Sequence, residues 1–102
     1  MLRYAAFVAA ALAPFALAPA TAQAPNGYYV ATPATAPNAP TLVTRTTVWK
    51  CGEGICAAPK STSRDAIMCE LVVKQVGTLS SFAAGGTAFD ADALAKCNAR
   101  AK

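Results

Sequence analysis

The chain has no histidine. That absence removes every catalytic triad built on imidazole, and it removes the commonest nitrogen ligand for transition metals. Charge is sparse as well. Only 14% of residues are charged, with nine Lys and Arg against five Asp and Glu, and no two basic residues are adjacent. Without a basic stripe interleaved with aromatics there is no footprint for a nucleic-acid partner. The four cysteines include no Cys-X-X-Cys, the usual motif of thiol oxidoreductases. No glycine-rich phosphate cradle is present either: Gly52 and Gly54 read as a turn, and Gly85-Gly86 as punctuation. Asp90 and Asp92 are explained by a helix start, and Ser61, Ser63, Ser80 and Ser81 have no base to activate them. The expectation is a protein that is not an enzyme, with no catalytic residue, no cofactor and no metal site.

What is there begins at the N-terminus. Arg3 precedes a charge-free run from Tyr4 to Ala18 built mostly of Ala, Leu, Phe and Val. The run has the length of a secretory h-region, and Pro14 interrupts it. Ala20-Thr21-Ala22 then supplies the small residues a signal peptidase reads. Residues 1–22 are therefore read as a signal peptide cleaved after Ala22, with Ala24 the weaker alternative. The mature chain is expected to be periplasmic or secreted, without an integral membrane span. The leader inflates the overall apolar fraction of 55% and the mean hydropathy of +0.35. Without Arg3, eight basic and five acidic residues remain, a formal net charge of +3.

Residues 23–40 hold Pro25, Pro33, Pro37 and Pro40 among Ala, Thr and Asn. Proline blocks regular helix and central strand, so this stretch reads as an extended linker. Tyr28 and Tyr29 stand out in it as possible partner contacts. Residues 41–102 then form a domain about half the usual length, too small to rely on burial alone. Four cysteines in an exported chain supply staples.

Within that domain, Thr41 to Lys50 is rich in Thr and Val, ends in Trp49, and favours a strand. Ile55 to Ala58 is a return strand across Gly52-Glu53-Gly54. If Glu53 and Gly54 make a two-residue turn, Gly52 pairs with Ile55 and Cys51 falls opposite Cys56, with Cα atoms about 4.5 Å apart. Trp49 then shares the face of that bridge. Arg64 to Val76 reads as a helix with N-caps available at Ser61, Thr62 or Ser63 and a stop at Gly77. Its apolar face gathers Ala66, Cys69, Val72, Val73 and Val76. Leu79 to Ala83 is a third strand. Asp90 caps a last helix, with Phe89 and Leu94 placed as a hydrophobic staple and Cys97 facing inward. Four cysteines allow three connectivities. Hairpin register favours Cys51–Cys56, and the two inward helix faces favour Cys69–Cys97, whose loop closure is valued at roughly 3.5 kcal/mol. The fold class expected is α+β in the order β-β-α-β-α, an antiparallel three-stranded sheet packed on two helices.

The string TVWKCGEGICAA from Thr47 resembles a group of small exported proteins from alpha-proteobacteria of the Caulobacter and Sphingomonas kind. So do RDAIMCEL from Arg64, VGTLSSF from Val76 and ALAKCNA from Ala93. The shared pattern is Trp-x-Cys-x4-Cys followed by Cys-Asn. The resemblance implies an exported four-cysteine domain and carries no assigned activity.

Three functional expectations follow. The first is a non-enzymatic envelope module that binds a protein or envelope component through Glu53, Gly54 and Ile55 at the hairpin tip, with Tyr28 and Tyr29. The second is a thiol-redox protein using Cys51 and Cys56. The third is a peptidase inhibitor presenting the loop from Gly52 to Ile55.

Overall fold

The computed structural model describes residues 25–101, so the expected signal peptide and its expected cleavage point lie outside the described residues. In chain order the elements are β1 (Tyr29–Pro33), β2 (Thr41–Thr44), β3 (Thr47–Gly52), β4 (Ile55–Ala58), α1 (Asp65–Val76), β5 (Leu79–Ala84), β6 (Thr87–Ala88) and α2 (Ala91–Asn98). The strands make one antiparallel sheet in the order β2-β3-β4-β1-β5-β6. The class is α+β as expected, but the sheet has six strands rather than three.

Each extra strand has a physical reason. β1 lies inside the stretch read as a linker, and it pairs with both β4 and β5. Pro33 does not prevent this, because it is the last residue of the strand and sits where the register with β5 shifts, so little of the ladder needs its missing N–H. The single strand expected from Thr41 to Lys50 is two strands around Arg45-Thr46. That turn carries no glycine, and Arg45 itself takes the left-handed backbone, φ 56°, at a cost of about 1 kcal/mol for a side chain with a Cβ. β6 is only two residues, reversed from β5 at Gly85-Gly86, where φ is 60° and 85°. A Cβ at Gly85 would also meet the Tyr28 ring at 2.9 Å.

Both helices cover one face of the sheet. That face presents Tyr29, Ala31, Trp49, Cys56, Ala58, Phe82 and Ala84, which pack with Met68, Cys69, Val72, Val73 and Cys97. Tyr29, Trp49 and Phe82 form an aromatic triad with ring centroids 5.9, 6.2 and 6.4 Å apart. The polar atoms of these rings are satisfied. The Tyr29 hydroxyl accepts from the Ser61 N–H at 3.1 Å, and the Trp49 Nε1–H donates to Thr44 Oγ1 at 2.8 Å. Thr44 is the only buried polar or charged residue among the described residues.

The helices follow their sequence signals with two adjustments. None of the serines caps α1. Its N-cap is Arg64, without a side-chain hydrogen bond, because the Ser61 hydroxyl turns to accept from the Ser63 N–H. The buried stripe of α1 is Met68, Cys69, Val72 and Val73, whereas Ala66 is exposed and Val76 half-buried. α2 is capped as expected, with Asp90 Oδ1 accepting from the Ala93 N–H at 2.8 Å. At its other end Asn98 clamps the first residue of β5. Its Oδ1 accepts from the Leu79 N–H at 2.8 Å, and its Nδ2 donates to the Leu79 carbonyl at 2.9 Å. β6 is too short to reach that part of β5, so the Asn98 amide takes the place of a strand.

β1 is thus part of the domain. A chain that starts at Thr41 is expected to lack cooperative unfolding and slow amide exchange, while one that starts at Gln23 shows both. Tyr29→Ala should cost about 3–5 kcal/mol in urea unfolding. Tyr29→Phe should cost about 1 kcal/mol, the worth of its hydrogen bonding to Ser61.

Candidate functional site

The expected hairpin tip is present. Gly52 pairs with Ile55 and Cys51 with Cys56. Glu53 and Gly54 have φ of 54° and 77°, the mirror-image turn that matches strand twist. Glu53 is exposed, Gly54 meets nothing within 4 Å of a built Cβ, and Ile55 is half-buried. The tip is therefore a rigid corner. A protease cleft reads its ligand as an extended strand, and two consecutive left-handed residues are far from that form, which counts against a peptidase inhibitor that uses this loop.

The two tyrosines do not join the tip. Tyr29 pairs with Ala58, at the opposite end of β4 from Ile55. Three residues of strand place them about 10 Å apart along the sheet. Tyr29 is fully buried and unavailable to a partner, which corrects its expected role as a contact. Tyr28 is half-buried, edge-on to Tyr29 at 4.8 Å, with the Lys60 ammonium 5.0 Å from its ring centroid.

A larger feature is the other face of the sheet, which neither helix covers. One register row crosses all six strands: Thr41, Lys50, Ala57, Val30, Ala83 and Ala88. Beside it Val43 and Val48 pair directly, 50% and 48% exposed. They are the large apolar side chains most open to solvent among the described residues. Two shallow grooves meet at Val48. One is lined by Pro25, Gly27, Lys50, Ala57 and Pro59, the other by Thr46, Thr47, Pro59, Lys60 and Ser61. The sequence held the signal for this face. Val43 and Val48 have the opposite strand parity to the half-buried Leu42 and the buried Trp49, but the pattern is readable only once the chain is known to reverse at Arg45.

Charge divides between the layers. Among the described residues, the helix layer, with its caps and the residues after α2, carries Arg64, Lys74, Lys96 and Arg100 against Asp65, Glu70, Asp90 and Asp92. The sheet layer carries Arg45, Lys50 and Lys60 against Glu53 alone. The ion pair seen among the described residues, Arg100 Nε to Glu70 Oε1 at 3.9 Å, is solvent-exposed and adds little stability. Arg64 makes no such pair among the described residues. No group of three or more acidic or cysteine side chains that could hold a metal comes together among them.

All four cysteines are bridged in the expected pairs, Cys51–Cys56 and Cys69–Cys97, with Cα separations of 4.0 and 5.9 Å. Cys56, Cys69 and Cys97 are buried, and only Cys51 is partly open. Two bridges and no free thiol fit an oxidising compartment. No helix among the described residues is long and apolar enough to cross a membrane.

Loop length sets the expected worth of each staple. Replacing Cys69 and Cys97 together by Ala should lower unfolding free energy by about 3.5 kcal/mol, and replacing Cys51 and Cys56 by about 2 kcal/mol. Denaturant titration of the two double variants checks the order.

Comparison with curated proteins and with solved structures gives no match. Residues 6–99 match the model of a family of unknown function, DUF8200, in keeping with the group without assigned activity that the motifs resemble. The match spans nearly the whole chain, which therefore belongs to the DUF8200 family.

Proposed function

We propose that this chain is an exported, non-enzymatic binding module of the cell envelope, and that the uncovered face of its sheet is the working surface. One observation carries the reading. A six-stranded sheet is covered by helices on one side only, and the other side keeps the exposed Val43–Val48 pair next to Lys50. A lone exposed valine needs no explanation, but a paired patch continuous with a row of small side chains marks a contact surface. The interior favours a scaffold over an active site, since the only buried polar or charged residue among those described, Thr44, is occupied by Trp49. The two disulfides support residence in an oxidising compartment, and the leader-like residues 1–22 supply the route of export.

A photoreactive side chain at position 48, introduced in cells, tests the module. A reproducible adduct at position 48 and none from position 96 on α2 is the expected result. No adduct from either position, or equal labelling from both, would remove the reading.

A second reading draws on the partial opening of Cys51. An incoming thiolate can reach Cys51 Sγ and release Cys56 as the leaving thiolate, while the Cys69–Cys97 bridge stays enclosed. Thiol-redox function predicts that the hairpin bridge equilibrates with a glutathione buffer. If trapping finds both bridges intact across that range, the cysteines are scaffold only.

A further inference from the structure

We infer that the uncovered sheet face docks on an anionic phospholipid surface, with Val43 and Val48 at the depth of the headgroups and Arg45, Lys50 and Lys60 over the phosphates. The inference deepens the binding-module reading by naming its partner.

Three observations select lipid over other occupants. The first is charge. Among the described residues the helix layer balances four basic residues against four acidic ones, whereas the sheet layer has three cations and one anion, and the anion, Glu53, stands at the hairpin tip. Lys50 lies in the row that crosses the face, and Lys60 lines a groove whose other wall is Val48. Exposed valines ringed by cations suit a bilayer interface, where apolar side chains enter the headgroup boundary and anionic lipids hold the positive rim.

The second is what the face lacks. Protein interfaces are anchored by buried Trp, Tyr and Arg at their centre. Here the centre is the buried Ala57 with the half-buried Val30 and Ala83, none of them aromatic, and Tyr28 is half-buried beneath Lys60. A second copy fits no better. The row holds no carboxylate with which a second copy could pair Lys50. A fluid lipid surface needs no fixed partner for each charge, and long lysine stems can reach up to it.

The third is Arg45. It holds a left-handed backbone, φ 56°, at a turn position where glycine is the natural choice. A strained residue at the edge of a surface points to use of its side chain. Arg45→Gly should therefore have opposite effects on two properties. It relieves the backbone, so the urea midpoint rises, and it removes a cation, so lipid binding weakens. A purely structural Arg45 would give the first change without the second.

The experiment uses the disulfide-bonded chain from Gln23, which contains the whole sheet, in co-sedimentation with vesicles. Phosphatidylcholine vesicles containing about one-third phosphatidylglycerol are compared with phosphatidylcholine alone. Binding is expected to the anionic vesicles only, and to weaken as salt rises. Lys50→Glu with Lys60→Glu should weaken it by about tenfold or more, as should Val43→Asp with Val48→Asp. All four side chains are outside the core, so far-ultraviolet circular dichroism should be unchanged. Lys74→Glu with Lys96→Glu alters net charge by the same amount on the helix layer and should change binding by no more than about twofold. Equal loss in both charge-reversal pairs would mean general attraction to the whole protein and overturn the inference. So would absence of anionic-vesicle binding, or a dimer in solution that Val43→Asp with Val48→Asp dissolves. The cell-based adduct at position 48 separates the two levels. A lipid adduct supports both, a protein adduct ends the lipid inference and leaves the module, and no adduct ends both.

Discussion

The Tyr29 side chain is held from several directions at once, and the sheet depends on it. Its ring stacks within the triad formed with Trp49 and Phe82, which come from strands on opposite sides of β1. Its hydroxyl exchanges hydrogen bonds with the Ser61 backbone in the loop that leads into α1. Within the sheet of the described residues, β1 joins the β2-β3-β4 meander to the β5-β6 hairpin. Take it away and each half becomes a small sheet with a new open edge, and the two helices lose the continuous floor on which they pack. Aromatic burial on this scale dominates the energetics of a domain this small.

How much of this the sequence disclosed follows from the range of each interaction. The Cys51–Cys56 register, the Glu53-Gly54 turn and the Asp90 cap were legible because each is fixed by residues within a few positions of one another. The Cys69–Cys97 bridge was legible through helix periodicity on both sides. β1 was not, because its partners lie about 25 and 50 residues away and its local composition, with proline all around, argues for a tether. Val30 and Ala31 carry no pattern that outweighs those prolines until β4 and β5 are in place beside them. The reversal at Arg45 was hidden for the opposite reason: an extended run of Thr and Val pointed to one long strand, and the turn residue is one that usually avoids such a backbone. The uncovered face was lost with it, since the parity of Val43 and Val48 has meaning only across that reversal.

The Cys-Asn pair near the C-terminus gains an explanation that a shared motif alone does not provide. Cys97 fastens α2 to α1, and the next residue, Asn98, fastens the same helix to the backbone of β5. Two adjacent side chains thus lock a short helix to both neighbouring elements. Such a helix has little stability alone, and this arrangement lets eight residues complete a core that a longer helix would otherwise have to close.

The position of β1 also sets an order of events. Among the described strands it is the first to be synthesised, and it completes its pairing only after β5, which follows it by nearly half the chain. The meander and the last hairpin close through short loops, but the central slot fills only by a contact of long sequence separation, the kind that slows folding. Until it fills, β4 and β5 each expose an unpaired edge. β4 and β5 are therefore the edges whose exposure to edge-to-edge association with other copies depends on how soon β1 takes its place between them.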